Sequence, residues 1–156
     1  MKTAVIYASS HGTTEKVATQ IANELPNTDT INLKKQSKID LDMYTHIVIG
    51  GSIHAGKIQN EVKTFCQNNM IKLLEKHIGL FICAMNEPDY DTELKNAFPE
   101  LLMNHAKTKK VVGGEFLLEK MNFIEKFLVK KIAGVTESQS KINNEKIHEL
   151  IAEISQ

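Results

Sequence analysis

The chain contains no tryptophan, two cysteines and three prolines, and aromatic residues make up only 6% of its 156 positions. Cys66 and Cys83 are isolated. With no C-x-x-C and no ligand cluster around them, a disulfide framework and a zinc site are excluded, and a reducing, cytoplasmic setting is the simplest expectation. Neither sign of charge is in excess, since 19 basic and 19 acidic side chains cancel. The basic footprint of a nucleic-acid protein is therefore missing. No apolar run approaches the ~20 residues that a spanning helix needs. Met1-Lys2 runs straight into a strand-like segment, without the h-region and small-residue cleavage site of a signal peptide. There is no repeat, no low-complexity tract and no linker. Apolar residues at 42% and charged residues at 24% are globular values. The length suits one domain, residues 1–156, with a good core.

What is present is an alternation of strand-like and helix-like segments. Strands are expected at Thr3–Ala8, Thr28–Leu33, His46–Ser52, Ile78–Ala84 and Lys110–Leu117. The first and fourth are almost wholly apolar, as in parallel strands buried on both faces. Helices are expected after residue 12, over Asn60–Leu74 with Val62, Phe65, Cys66 and Leu73 on one face, around Leu94–Leu102 with a break at Pro99, and at the C-terminus around Ile147, Leu150, Ile151 and Ile154. Gly113-Gly114 reads as a bulge or a close approach. Five strands alternating with helices imply an α/β fold, an open parallel sheet with helices on both faces.

The segment joining the first strand to its helix is the most informative. Ser9-Ser10-His11-Gly12-Thr13-Thr14 places four hydroxyls around one glycine at a helix start. The free N–H groups and positive dipole end of a helix make such a turn an anion site. There is no Gly-Lys-Ser/Thr and no G-x-G-x-x-G, so neither a triphosphate loop nor a dinucleotide fingerprint is present. A single phosphate held by hydroxyls and amides, without an obligatory cation, fits. The plainer alternative is a strand–helix connection with ordinary capping hydroxyls. In open α/β sheets ligands sit at the carboxyl ends of the strands, where strand order reverses. That brings residues 9–14, 52–58 and 85–90 together.

These three loops resemble flavodoxin. The family's phosphate loop, Thr/Ser-x-Thr-Gly-x-Thr, is matched at Ser9, Gly12 and Thr14, with His11 in place of the middle threonine. The resemblance implies a single flavodoxin-like three-layer sandwich with a five-stranded parallel sheet in the order 2-1-3-4-5, and FMN as cofactor. It implies that Ser9, Ser10, His11, Gly12, Thr13 and Thr14 hold the phosphate, with His11 offering its backbone N–H. Ser52, Ile53, His54, Ala55 and Gly56 would lie along one side of the flavin ring, where the family's usual tryptophan is absent. Met85, Asn86, Glu87 and Tyr90 would lie on the other, with Tyr90 stacking, Glu87 at the ring edge and the backbone of Gly51, Ser52 and Met85 tuning the ring. His54 is a candidate ring contact or proton donor. Glu87 and Tyr90 have solvent-facing alternatives, and no catalytic residue stands out.

A narrower resemblance is to the menaquinone-dependent protoporphyrinogen oxidase family. It rests on Ser52-Ile53-His54-Ala55-Gly56, on Gly113-Gly114 followed by an aromatic and basic helix, and on Gly134-Val135-Thr136-Glu137. The family's extra arginines are missing. The resemblance implies an oxidoreductase that passes electrons from a reduced substrate to a quinone, with a redox partner protein, a quinone or a small-molecule reductant as its partners. Zero net charge counts against the alternative of a purely electron-shuttling flavodoxin, because classical shuttles are strongly acidic. A flavodoxin-like binding module that has lost FMN is the non-redox alternative. Segment 117–132 carries Leu117, Leu118, Met121, Ile124, Phe127, Leu128 and Ile132 at helical spacing, with Lys120, Lys126, Lys130 and Lys131 elsewhere on the helix. Such a helix either packs on the sheet and shows its lysines to water, or makes peripheral membrane contact. Glu119 and Glu125 dilute its charge and favour the first.

Overall fold

A computed structural model describes residues 1–156. Strands β1 (Thr3–Tyr7), β2 (Thr28–Asn32), β3 (His46–His54), β5 (His77–Cys83) and β6 (Thr108–Val111) form a parallel sheet in the order β2-β1-β3-β5-β6. The two-residue strand β4 (Lys57–Ile58) folds back antiparallel on the end of β3. With β4 set aside, the five principal strands follow the expected 2-1-3-4-5 order.

The sheet is central because its strands bury both faces. Every residue of β1 is buried. Side chains alternate across a strand, so Ala4 and Ile6 enter one core while Val5 and Tyr7 enter the other. The first core is closed by α2 (Asn60–Asn68), α3 (Met70–Leu73), α4 (Tyr90–Ala97) and α5 (Glu100–His105), through Val62, Phe65, Leu73, Ala97 and Leu102. The second is closed by α1 (Thr13–Glu24) and α7 (Asn144–Ile154), through Val17, Ala18, Ile21, Ile147 and Leu150. Three layers result. No helix is long and apolar enough to cross a membrane.

Four local expectations change. The Asn60–Leu74 helix breaks at Asn69, whose side-chain amide donates to the Phe65 carbonyl at 2.9 Å and competes with the helical backbone. The fifth principal strand is Thr108–Val111 and not Lys110–Leu117. Gly113 and Gly114 lie beyond the strand and are the expected close approach: a Cβ at Gly113 would stand 1.9 Å from the Lys141 carbonyl oxygen, and the two glycine carbonyls accept from Ala84 N–H and Lys141 N–H. Glu115–Phe116 forms a separate strand β7, paired antiparallel with β8 (Gln139–Ser140). The basic helix α6 spans Phe123–Ile132 and starts six residues later than the apolar spacing suggests. Asn122 and Glu125 set that start as a capping box, each side chain bonded to the other's backbone N–H. Nor does α6 pack on the sheet: none of its residues is buried.

Gly50 decides how β3 and β5 meet. It lies opposite Phe81, which is fully buried. A Cβ at Gly50 would stand 2.0 Å from the Phe81 ring. Gly50→Ala is therefore expected to lower unfolding stability by about 1–3 kcal/mol through overpacking. Phe81→Leu in the same background should recover part of the loss. Urea denaturation checks this, and an unchanged midpoint for Gly50→Ala would contradict the packing described.

Candidate functional site

The site lies at the carboxyl ends of β1, β3 and β5. β1 ends at Tyr7, and the chain must turn back to lay α1 on the second core. Gly12 makes that turn with φ of 95°, in the left-handed region that disfavours side chains. It also serves as N-cap of α1, with no side chain capping the helix. The first-turn amides of Thr13, Thr14 and Glu15 have no acceptor within the helix. Ser9 Oγ accepts the Gly12 N–H at 3.0 Å and tightens the turn. Thr14 Oγ1 is buried and has no hydrogen-bond partner. The Cys83 thiol beside it, pushed up to about 12 by burial, is a neutral and weak neighbour. Buried hydroxyls without partners are costly; Thr14 Oγ1 shares this state with Thr3 Oγ1, Glu93 Oε2 and Thr108 Oγ1, and of the four it is the one at this turn.

Cations gather here too. Lys34 Nζ donates to Ser10 Oγ at 3.5 Å, Lys16 is on the first turns of α1, and Lys120 Nζ lies 3.4 Å from where a Gly12 Cβ would be. All three are lysines, since the chain has no arginine. They supply point charges and no bidentate fork.

Around this turn opens a cleft of about 420 Å³, within the size range of small-molecule sites. Ser9, Ser10, His11, Thr13 and Thr14 form its polar end. Ser52, Ile53, His54 and Ala55 form one wall. The opposite wall and roof are Phe116, Met121, Leu128, Val129 and Ile132, from β7, α6 and the segment between them. The structure thus brings two of the three expected loops together.

The third loop is not among the cleft-lining residues. Met85, Asn86, Glu87 and Tyr90 do not line the cleft. Tyr90 donates its hydroxyl to the Ala84 carbonyl at 2.9 Å and packs its ring against the first core. Gly56, at φ 74°, turns the chain between β3 and β4, with nothing within 4 Å of where a Cβ would stand. The Ser52 N–H, expected to face a ligand, donates to Gln59 Oε1 at 2.9 Å.

Two histidines face each other in the cleft, His11 and His54, with ring centroids 5.9 Å apart and planes at 81°. Gln59 Nε2 donates to Ser52 Oγ at 2.6 Å, and Ser52 Oγ is 3.0 Å from His54 Nε2. The assignment that uses every donor has Ser52 O–H pointing at Nε2, leaving the imidazole proton on Nδ1. His54 is exposed by surface area, yet the cleft crowds its ring. Desolvation first, then the neighbouring His11, hold its pKa below the usual histidine range, and Glu125 opposes them. His54 is accordingly neutral at pH 7.

The residues that sequence reasoning missed are Glu115 and Glu125. Thr13 Oγ1 donates to Glu115 Oε1 at 3.1 Å, and Lys16 Nζ reaches Glu115 Oε2 at 3.4 Å. His11 Nε2 bonds Glu125 Oε2 at 2.6 Å. Burial pulls the Glu125 pKa upward, but hydrogen bonds from His11 and from the Asn122 backbone outweigh it and hold the carboxyl below its usual range. The spacing Asn122-x-x-Glu125 was the available signal for the start of α6. No local signal foretold that α6 lies over the turn at residues 9–14.

Residues 4–143 match the family described as flavodoxin domain. Protoporphyrinogen IX dehydrogenase [quinone] of Escherichia coli (strain K12) is 18% identical over 158 aligned positions, covering 95% of this chain and 87% of that protein. The structure of a WrbA-like flavodoxin from Agrobacterium tumefaciens superposes with a TM-score of 0.59 at 15% identity, covering 99% of this chain and 95% of that one. That of a flavoprotein in complex with FMN from Lactobacillus acidophilus NCFM gives a TM-score of 0.50 at 19% identity, covering 72% and 91%. At these identities the solved structures speak to the fold. The family match spans most of the sequence, and the chain belongs to the flavodoxin-domain family.

Proposed function

We propose that this chain is an FMN-dependent oxidoreductase, with the phosphate of FMN seated at residues 9–14 and its ring in the apolar part of the cleft. One observation carries the reading: an uncapped, hydroxyl-ringed helix start, with the orphaned Thr14 hydroxyl, stands at the polar end of an apolar-walled cleft. The groups present fit the cofactor. Amides and hydroxyls of Ser9, Ser10, Thr13 and Thr14, with Lys16, Lys34 and Lys120 nearby, suit a phosphate. Ile53, Phe116, Met121, Leu128 and Val129 suit a flat ring and exclude water. Bound FMN accepts and releases one or two electrons, and the protein's part is to bind, orient and tune it.

The remaining chemistry belongs to side chains. Gly12 sets the turn that exposes the amides. Gln59 holds Ser52, and Ser52 orients His54, so a neutral imidazole presents an N–H into the cleft. Such an imidazole can hand on its proton and accept another at the free nitrogen. His11, hydrogen-bonded to Glu125, is the second imidazole in the cleft.

We infer further that the electron acceptor is an apolar small molecule of the quinone class, met at an anionic lipid surface through residues 117–132. Outside the cleft lining α6 exposes Phe123, Ile124 and Phe127, with Lys126, Lys130 and Lys131 among them. That pattern suits a helix lying in a headgroup layer. The name of the E. coli relative, protoporphyrinogen IX dehydrogenase [quinone], agrees with a quinone acceptor.

Two outcomes are expected. Purified protein should be yellow, with a released chromophore of the mass of FMN. Thr14→Ala should weaken FMN about 10- to 100-fold, the worth of one hydrogen bond to a charged group, with its unfolding midpoint unchanged or raised because a buried orphan hydroxyl is gone. A colourless protein that ignores added FMN would defeat the reading. In flotation with vesicles of anionic phospholipid, the protein should rise with the lipid at low salt. The double variant Lys130→Glu, Phe127→Ser should stay behind. No flotation of the unaltered protein would remove the membrane reading alone.

A further inference from the structure

We propose that Glu115 and Glu125 are built-in occupants of the phosphate site, a carboxylate latch that an incoming phosphate must displace. The inference rests on the reading of the cleft given above. Both carboxylates come from the 115–132 segment, yet their partners are groups of the turn at residues 9–14 and of the first turn of α1. Glu115 is the more telling. Its side chain is only 7% exposed, and a carboxylate this buried needs compensating partners. The partners it has are Thr13 Oγ1 and Lys16 Nζ. Glu125 takes His11 Nε2 at 2.6 Å in the same way.

These are donors that a phosphate at the helix start would use. A phosphate cannot settle beside two ionised carboxylates in a confined cleft without strong repulsion. Binding therefore sets the phosphate against Glu115 and Glu125 for Thr13, Lys16 and His11. The winner also decides where the roof lies, because Glu115 is in β7 and Glu125 is in the first turn of α6. Besides the apolar contacts across the cleft, these two carboxylates are the ties between roof and turn. The roof has little other anchorage, since α6 has no buried residue. Seating a phosphate unlatches β7 and α6 from the turn. The empty site is held closed by these two ties, and phosphate binding is coupled to loosening of the helix that carries the exposed apolar face, which its apolar contacts across the cleft still retain.

The test uses Glu115→Gln with Glu125→Gln in the full chain. Glutamine at 115 still accepts from Thr13, and glutamine at 125 keeps the capping box, so the fold is preserved while both charges go. Two readouts are taken: FMN affinity by quenching of flavin fluorescence, and the rate of tryptic cleavage at Lys120, Lys126, Lys130 and Lys131. The double variant is expected to bind FMN at least about tenfold more tightly than the parent. Its 120–131 segment is expected to be cut faster without ligand. Inorganic phosphate, against sodium chloride at matched ionic strength, is expected to speed cutting of the parent and not of the variant. Equal or weaker FMN binding by the variant, or cleavage of the parent indifferent to phosphate, overturns the latch while leaving the cofactor reading intact. If neither protein binds FMN, the cofactor reading fails and the latch fails with it.

Discussion

Burial of β1 on both faces is the constraint from which the rest follows. Ala4 and Ile6 are committed to one core, Val5 and Tyr7 to the other, and none of them has freedom to move. A strand held this way must be covered by helices on two sides, and the first helix must begin just past its end. Gly12 permits the reversal. The consequence is electrostatic: a helix start with unpaired N–H groups is brought to the rim of the sheet, beside the end of β3. The site is a by-product of packing that hydroxyls, lysines and one orphaned threonine have turned to use.

Charge at that rim is balanced within the chain. Lys16, Lys34 and Lys120 raise the local potential, while Glu115 and Glu125 lower it. The acidic pair comes from the segment after β6. It also supplies the apolar roof, so the same segment shapes the cleft, sets its charge and carries the exposed face of α6. These three properties are coupled through two side chains.

Much of the fold was legible from residue pattern. Continuous apolar runs marked β1 and β5, and Pro99 marked the break between α4 and α5, whereas β3 runs on through Gly50 and Gly51 to His54, two residues past the expected Ser52. The turn at residues 9–14 was legible because hydroxyls and a glycine at a helix start have a local physical meaning. What escaped reading depended on distant contacts. The fifth principal strand ends at Val111 because Gly113 and Gly114 hydrogen-bond Ala84 and Lys141. Tyr90 lies outside the cleft because its hydroxyl is spent on the Ala84 carbonyl. Glu115 and Glu125 meet Thr13 and His11 across separations of 102 and 114 residues. Periodicity carries no information on such pairs.

The measurement that bears most directly on the central claim compares the dissociation constants of FMN and riboflavin, which differ only in the phosphate, by fluorescence titration of the apoprotein. If the turn at residues 9–14 is the phosphate seat, FMN should bind at least about 100-fold more tightly, since two hydrogen bonds to a charged group are worth about 1.5 kcal/mol each or more. Equal affinities would mean that the phosphate is not held there, and the account of the site would be wrong.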